Sequence, residues 1–452
     1  MRSVQLTSLA ILGAACLALS ACDNSSNSAA STPISSSGNS DSASIMVASD
    51  LHYFSPSLMT DTGSTALKAY LQEDRKMLLQ SPQLLHAFLD SVRARRPGIL
   101  LLTGDLTKDG EAKSHQDMAD SLATLRGMGI KVYVIPGNHD VMNPESQQYS
   151  SDVATAADNV SSTTFAKIYA DCGFNQAIAR DTASLSYVVE PVSGVWILAL
   201  DACRWKDNVT GGTETVGGRY LPQTVAWIKA QLDSAKAKGK TVVGMMHHGI
   251  LEHFTGEANN ALSKDYVVAD HDNLSQMFAQ KGLHVMFTGH FHANDIAQKV
   301  FGTDTLTDIE TGSLVTAPSP FRYGTLGYNT LSINTNLIRS VPAGTPGVTG
   351  DFQTWAHNYL ISGMSALVAY TVLNDTSYHV TDATMAAQLG SVVATAYATH
   401  YAGNETGVPS SLTTTLSSLN AMGPTGIYFA STITALFTDL APADDKGLFG
   451  LR

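Results

Sequence analysis

Five short polar motifs, each placed directly after an apolar, β-rich run, constrain this sequence more than any other feature. Together they carry carboxylate, imidazole and amide groups but no thiolate. The motifs are Asp50-Leu51-His52, Gly104-Asp105, Gly137-Asn138-His139-Asp140, His247-His248 and Gly289-His290-Phe291-His292. Because ligand-binding side chains gather beyond the carboxyl ends of neighbouring strands, the sequence predicts a fold in which the five motifs form one site.

The first three motifs follow strands that alternate with helical segments. Ser44–Ala48, Ile99–Thr103 and Val132–Ile135 are strand-like, and the segments Leu78–Arg95 and Ala112–Arg126 between them have helical spacing. A β-α-β-α-β order implies right-handed crossovers and a parallel sheet. The sequence therefore predicts an α/β (α+β) fold with the motifs at one sheet edge.

The following part of the chain predicts a second group of strands. Ser184–Val189 and Val195–Leu200 form a predicted hairpin, Pro222–Lys236 a helix, and Thr241–Met246 and Val285–Thr288 two further strands. Short β-like runs continue to residue 333. Two sheets packed face to face with helices outside would account for this order.

Composition and charge narrow the class of protein. The 452 residues are 44% hydrophobic and 15% charged, which suits a globular protein of one large domain plus a smaller one, or of two to three average domains. The formal charge of −12 argues against a broad nucleic-acid surface, because such a surface needs clustered Lys and Arg. A small phosphorylated partner remains compatible if bound metal ions locally invert the field.

The N-terminal segment is predicted to lie outside the fold. Arg2, the apolar run Leu9–Leu19 and small residues before Cys22 resemble a bacterial lipoprotein signal over residues 1–22, with Cys22 lipidated. An ordinary secretory signal cleaved nearby is the alternative. Residues 23–44 are rich in Ser and Asn and are predicted to be a flexible tether. We therefore expect a protein of the bacterial cell envelope whose membrane contact is its lipid anchor.

The sequence changes character after about residue 338. We predict one domain over residues 45–338 and a C-terminal helical region over residues 339–452. Its predicted helices are Phe352–Leu373, Asp382–Tyr401 and Thr425–Leu440. Polar residues interrupt the first of them, which favours a packed helix over a membrane span.

The donor set of the motifs suits two adjacent metal ions. A dinuclear site needs a carboxylate that bridges both ions and nitrogen or oxygen ligands for each of them. Asp50 and His52, like His290 and His292, lie two residues apart just past a strand, where an extended backbone directs both side chains to one side. Nitrogen and oxygen ligands of this kind suit Fe, Mn, Zn or Co.

With these motifs the chain resembles the calcineurin-like metallophosphoesterases over roughly residues 45–333. The segments Gly104–His115 and Ile135–Asp140 look particularly like the branch related to cyclic-nucleotide phosphodiesterases. Leu200-Asp201, Gly217 and the pair Gln223 and Trp227 also fit that branch. The resemblance implies a four-layer αββα sandwich, here with a C-terminal helical appendage, and a site for two metal ions.

The resemblance also implies a role for each motif residue. One ion would be held by Asp50, His52 and His292, the other by Asn138, His247 and His290, and both by the bridging Asp105. His139 would be the general acid, and Asp140 would orient it by accepting the proton of its far ring nitrogen. Of the adjacent His247 and His248, we favour His247 as the ligand because it directly follows the strand, which leaves His248 in the second shell or facing substrate.

The implied reaction is hydrolysis of a phosphoester. Two bound cations would lower the pKa of a bridging water to about 7, and the resulting hydroxide would attack phosphorus in line. The substrate would be a small phosphodiester or phosphomonoester, with a slight lean to the diester from the residues around 104–115. The alternative is a metal-binding envelope lipoprotein that acts as a binding module without turnover.

Other residues carry weaker predictions. His115 is interpreted as a capping or surface residue, and His253, in the loop after His247, as structural rather than substrate-facing. Arg322 could bind phosphate, but an exposed loop arginine is favoured. Cys172 and Cys203 could form a disulfide in an exported protein, although two unpaired buried thiols are favoured.

Overall fold

The computed structural model describes residues 42–72 and 74–452. The predicted signal, Cys22 and residues 23–41 of the predicted tether lie outside the described residues. Residues 42–44 of that tether belong to the first strand.

The strands are, in chain order, β1 (Ser42–Ala48), β2 (Ile99–Leu102), β3 (Lys131–Val134), β4 (Gln147–Gln148), β5 (Thr155–Ala156), β6 (Ala179–Arg180), β7 (Tyr187–Val192), β8 (Val195–Leu200), β9 (Thr241–Met246), β10 (Leu283–Thr288), β11 (Ile296–Phe301), β12 (Asp304–Glu310), β13 (Pro320–Gly327), β14 (Thr330–Leu337) and β15 (Lys446–Gly450). The helices are α1 (Thr65–Gln72), α2 (Ser81–Arg95), α3 (Ala112–Gly127), α4 (Ser162–Ile168), α5 (Pro222–Ala237), α6 (His271–Gln280), α7 (Phe352–Asn374), α8 (Ala383–Tyr401), α9 (Thr413–Asn420) and α10 (Pro424–Leu436).

The first large sheet has the strand order β15-β14-β13-β1-β2-β3. Its β1, β2 and β3 are parallel, with Met46 opposite Leu100 and Leu100 opposite Val132. The helices α2 and α3 connect these strands, as the alternating pattern predicts. β13 and β14 continue the sheet in antiparallel fashion on the other side of β1.

The second large sheet has the strand order β11-β12-β10-β9-β8-β7-β6. Its central strands β8, β9, β10 and β12 are parallel. Every residue of β8 and β9 is buried, because a strand covered on both faces needs apolar side chains on both sides. This sheet corresponds to the second group of strands predicted from the sequence.

The inner faces of both sheets belong to one continuous apolar core. Helix α2 covers the first sheet, where the Phe88 ring packs edge-on against Phe321 at 5.5 Å. Helices α5 and α6 pack on strands of the second sheet. The predicted αββα layering and the helical C-terminal region are therefore confirmed.

The C-terminal region also contributes a strand that the sequence pattern does not reveal. β15 pairs antiparallel with β14, with Phe449 opposite Leu331, and so forms the edge of the first sheet. Buried residues of α7 and α8 belong to the same core as both sheets. Within residues 42–72 and 74–452, none of the helices has the length and apolarity that a membrane crossing requires.

The two cysteines of the catalytic part are free thiols. Cys172 is buried, and the Cys203 thiol donates to the Pro136 carbonyl at 3.4 Å. The structure therefore supports two unpaired thiols rather than a disulfide.

We expect a chain that ends at residue 338 to be less stable than the full chain, because it lacks β15 and exposes the core residues that α7 and α8 cover. Loss of each large buried side chain from the core costs about 2–5 kcal/mol. Urea unfolding followed by circular dichroism would measure this. An unchanged midpoint and slope would mean that residues 339–452 do not share the core of the rest of the chain.

Candidate active site

The motif residues lie in loops that follow β1, β2 and β3 of the first sheet and β9 and β10 of the second. Backbone hydrogen bonds join the loops within each sheet: the Asp50 amide donates to the Gly104 carbonyl at 3.1 Å, and the Gly289 amide to the His247 carbonyl at 2.9 Å. Between the sheets, the His290 amide donates to Asp50 Oδ2 at 3.0 Å. The carboxyl ends of both sheets therefore meet at one place, as parallel topology requires.

Five motif residues other than glycine have a left-handed backbone conformation. These are Asp50, His52, Asp105, His290 and His292, with φ between 38° and 75°. Such a conformation costs a residue other than glycine on the order of 1–3 kcal/mol and persists only where the surrounding structure imposes it. The turns direct the five side chains into the site instead of continuing the strands.

Two glycines leave room for the ligands. A Cβ atom on Gly104, whose φ is 99°, would overlap the His247 ring, and a Cβ on Gly137 would overlap the Asp105 carboxylate. Side chains at these positions would push the two candidate ligands out of place.

Asp105 lies at the centre of the site. Its Oδ2 is 3.3 Å from Nε2 of His247 and 3.5 Å from Nε2 of His52, and its Oδ1 accepts the His139 amide at 3.0 Å. Burial alone would raise the pKa of Asp105, but the His247 and His139 rings hold it well below its usual range. An ionised carboxylate between two imidazoles is suited to bridge two cations.

Asp50, His52 and His292 form a group on one side of Asp105, and their ligand atoms lie within 4.8 Å of one another. Nε2 of His292 is 3.4 Å from both Asp50 Oδ1 and Nε2 of His52. The far nitrogen of His292 lies 3.0 Å from the Thr316 hydroxyl, which fixes the ring. Burial and the Lys76 ammonium lower the pKa of His52, which favours the neutral ring that metal ions bind.

Asp105, His247 and His290 form a second group of the same size. Nδ1 of His247 donates to the Thr103 carbonyl at 2.8 Å, so its Nε2 faces Asn138 Oδ1 at 3.1 Å and Asp105. Burial disfavours a charged ring, yet Asp105 raises the pKa of His247 to about 9. Burial, with the neighbouring His247 and His248 rings, lowers the pKa of His290.

His248 bonds to the backbone of a neighbouring loop. Its Nε2 donates to the Val216 carbonyl at 2.9 Å, and its ring packs 4.3 Å from that of His290. Burial lowers the pKa of His248 to about 3. Of the doubled histidine, His247 is the residue that lies beside Asp105.

The prediction that Asp140 orients His139 is wrong. Nδ1 of His139 donates to Asp109 at 2.8 Å. Asp140 instead accepts the backbone amides of Leu106, Thr107 and Gly137 at 2.9–3.0 Å. The tight turn directs its side chain into the neighbouring loop, where these amides would otherwise lack acceptors, so Asp140 holds the Asp105 and Asn138 loops together.

His139 lies between two carboxylates. Besides its bond to Asp109, its Nε2 is 3.2 Å from Glu214 Oε1 and 3.8 Å from Asp105 Oδ2. Burial disfavours the charged ring, but the carboxylates of Glu214, Asp105 and Asp109 together raise the pKa of His139 to about 10. The ring therefore carries a proton beside the Asp105 carboxylate.

A cavity of about 270 Å³ opens onto both groups and onto His139. Its wall contains residues that sequence reasoning missed. These are Tyr70, Asp74, Arg75, Lys76, Asp109, Glu145, Glu214, Val216 and Tyr266. Asp109 lies inside the Gly104–His115 segment that carries the resemblance, so that segment indicated it. Tyr70 lies in α1, and the others come from loops without a motif.

Three further sequence interpretations can be checked. His115 is fully buried and bonds to Tyr169 and the Asp140 carbonyl, so its predicted surface or capping role is wrong. Arg322 is also fully buried and donates to backbone carbonyls, so it is neither an exposed arginine nor a phosphate ligand. His253 is buried against Asp295, outside the cavity wall, in keeping with a structural role.

Residues 43–294, more than half of the chain, match the calcineurin-like phosphoesterase family. The chain belongs to this family, and it is a metal-dependent phosphoesterase that uses two divalent metal ions. The residues present fit these ions: among the described residues, the buried Asp50 Oδ1 and His290 Nε2 have no hydrogen-bond partner and point into the two groups that a cation would complete.

Solved structures are similar at low identity. A dimetal phosphatase from Danio rerio is 16% identical, with a TM-score of 0.44 over 65% of this chain and 96% of the other. The protein TT1561 of Thermus thermophilus is 10% identical, with a TM-score of 0.34 over 66% and 99%. GAP50, the anchor in the inner membrane complex of Plasmodium, is 9% identical, with a TM-score of 0.35 over 69% and 89%. A comparison with curated proteins found no match.

We expect Gly137→Ala to weaken metal binding, because the added methyl group displaces Asp105. The loss of affinity should be roughly 10–100-fold, as when a residue that orients a metal ligand is changed. Titration of the metal-free protein with Mn²⁺ in a calorimeter would measure it. Gly127→Ala is the matched control, since a Cβ there meets nothing within 4 Å. Equal affinities for the two variants would contradict this account of Gly137.

Proposed function

We propose that this protein hydrolyses small phosphodiesters, with His139 as the proton donor for the leaving group. The observation that carries the proposal is the position of His139: its protonated Nε2 lies 3.8 Å from Asp105 Oδ2, at the edge of both ligand groups and on the wall of the cavity. A reaction that expels an alkoxide needs a proton donor at such a position.

The ligand roles follow the two groups of side chains. We assign one ion to Asp50, His52 and His292, the other to Asn138, His247 and His290, and the bridge to Asp105. When bound, the ions supply a water-derived nucleophile at neutral pH and offset the negative charge of the phosphate. The protein holds each ligand by a second contact, such as the bond from His247 to the Thr103 carbonyl.

Asp109 and Glu214 orient His139 and keep it protonated as the general acid. Asp109 accepts the Nδ1 proton of His139, which keeps Nε2 directed to the cavity, and Glu214 favours the protonated ring. Asp109 therefore takes the positioning role that the sequence assigned to Asp140. Its own carboxylate is held by the buried Lys108 ammonium, a contact that fixes the loop after Asp105.

The charge of the cavity wall favours a diester over a monoester. Apart from the proposed metal ligands, the charged side chains of the wall are Asp74, Arg75, Lys76, Asp109, His139, Glu145 and Glu214. Four carboxylates thus face two cations and one imidazolium. A phosphomonoester carries nearly two negative charges at neutral pH, whereas a diester carries one, so the acidic wall penalises the monoester more. The likeness to the cyclic-nucleotide branch points the same way.

We further propose that the chain acts in the bacterial cell envelope as a lipid-anchored protein. The support is the resemblance of residues 1–22 to a lipoprotein signal with Cys22 as the lipidated residue. Mass spectrometry of Cys22 from a membrane fraction would test it, and an unmodified Cys22 would contradict it.

His139→Ala should keep its metal ions and lose about 10²–10⁴-fold in kcat on phosphodiesters with poor leaving groups, because the alkoxide then leaves unprotonated. Elemental analysis and kinetics on alkyl and nitrophenyl esters would check this, since nitrophenolate leaves without help and should be affected less. Asp109→Asn should lower kcat less than His139→Ala. Loss of metal from His139→Ala would show that His139 is a ligand.

The Mn²⁺-loaded protein should have a higher kcat/KM for bis-nitrophenyl phosphate than for nitrophenyl phosphate. Glu214→Gln removes one negative charge from the cavity wall and should bring the kcat/KM values for the two esters closer together. Asp272→Asn, an exposed change in a pair with Lys299, is the control that should leave the ratio unchanged. Preference for the monoester would reverse the proposed substrate class, and turnover of neither ester at full metal content would favour a binding module.

A further inference from the structure

A second cluster of titratable side chains is buried where the C-terminal helical region meets the second sheet. It is separate from the residues assigned to the catalytic centre. Its members are His253, Glu257, Asp295, Asp308, Glu310, Arg322, His400, Glu405 and Asp444, and each is at least nine-tenths buried. No sequence motif marks His400 or the six carboxylates of this cluster.

Three members of the cluster have the geometry of a metal site. Ligand atoms of Asp295, His400 and Glu405 lie within 4.8 Å of one another. Nδ1 of His400 is 3.8 Å from Asp295 Oδ2 and contacts Glu405 Oε1. Asp295 precedes β11, whereas His400 lies in the last turn of α8 and Glu405 in the loop after it. The chain thus brings three potential ligands together from distant segments.

Several polar atoms in this cluster are buried without a partner. Among the described residues, Asp295 Oδ2, Glu405 Oε2, Glu257 Oε1 and Nε2 of His400 have no hydrogen-bond partner. A buried polar atom left unpaired costs about 1–3 kcal/mol, and more when it is charged. Three of these four atoms are carboxylate oxygens, which a cation among them would satisfy; in the same cluster, Nε2 of His253 and Nε of Arg322 also have no hydrogen-bond partner in the described part of the chain.

The charges of the cluster do not balance. Its carboxylates are Glu257, Asp295, Asp308, Glu310, Glu405 and Asp444, and its cations are at most Arg322, His253 and His400. Burial and neighbouring carboxylates raise the pKa of Glu310, as expected where negative charge is in excess. A buried charge is tolerated when it is paired or coordinates a metal ion.

We propose that Asp295, His400 and Glu405 bind one divalent first-row transition metal ion such as Zn²⁺, in addition to the two ions of the catalytic centre. One imidazole with two carboxylates suits such an ion, whereas Ca²⁺ and Mg²⁺ take oxygen ligands. The ion supplies two of the three positive charges that the six carboxylates lack. Glu257 lies in the same cluster with a free carboxylate oxygen.

This ion would link the end of α8 to the segment between the His290–His292 turn and β11. Asp295 lies three residues after His292, and the Asn294 amide donates to the Tyr401 carbonyl at 3.2 Å. The Phe291 ring also packs 5.6 Å from that of His400. The site is therefore structural: it stabilises the His290–His292 turn through the neighbouring residues and does not contact substrate.

The test is the metal content of the purified protein after loading with Zn²⁺ and removal of the excess, measured by plasma mass spectrometry. The wild-type protein should hold three ions per chain. Glu405→Gln should hold two and keep its phosphoesterase activity, because the catalytic ions remain. The double variant His247→Ala, His290→Ala should retain the ion of the second cluster. His357→Ala, at an exposed position on α7, should still hold three ions.

A second measurement needs no variant. Anomalous diffraction from wild-type crystals, recorded at the zinc edge, should show a peak between Asp295, His400 and Glu405, apart from the peaks of the catalytic centre. Two ions per chain in the wild-type protein, or no such peak, would overturn the proposal. The cluster would then be held by protons shared among its carboxylates, with His400 as an ion pair to Glu405.

Discussion

The carboxylate of Asp105 is the contact on which the rest of the site depends. It lies buried within 3.5 Å of a nitrogen of His52 and of His247, and its other oxygen holds the His139 amide. A buried anion in this position is unfavourable unless positive charge surrounds it. The buried negative charge of Asp105 therefore favours the binding of cations at this site.

The fold satisfies this requirement with local strain. Left-handed turns at Asp50, Asp105 and His290 cost conformational free energy, and Gly137 lacks a side chain so that the carboxylate fits. Asp140 compensates by accepting three backbone amides across the loops. The strain and its compensation are concentrated beyond the strand ends, whereas strands such as β2, β8 and β9 are buried throughout.

Much of the fold and of the ligand set could be predicted, because apolar runs and the motifs behind them are local features of the sequence. The strands β1–β3 and β7–β10 and the crossover helices α2, α3 and α5 lie close to their predicted bounds, whereas α6, β11 and β13 were not predicted. What could not be predicted depends on distant pairing: β15 is a short segment with two glycines, Glu214 carries no motif, and Arg322 looks like a surface residue until its carbonyl partners are known. The partner of His139 was misjudged because direction within a turn is not encoded by spacing.

The candidate ligands come from both sheets: Asp50, Asp105 and Asn138 follow strands of the first, and His247 and His290 follow strands of the second. Occupancy of the centre is therefore coupled to the docking of one half of the molecule on the other. Metal that binds only the assembled form adds about 2.7 kcal/mol to its stability at a free concentration of 100 times Kd. We therefore expect the supply of metal ions to affect the resistance of the folded chain to proteolysis as well as its rate of catalysis.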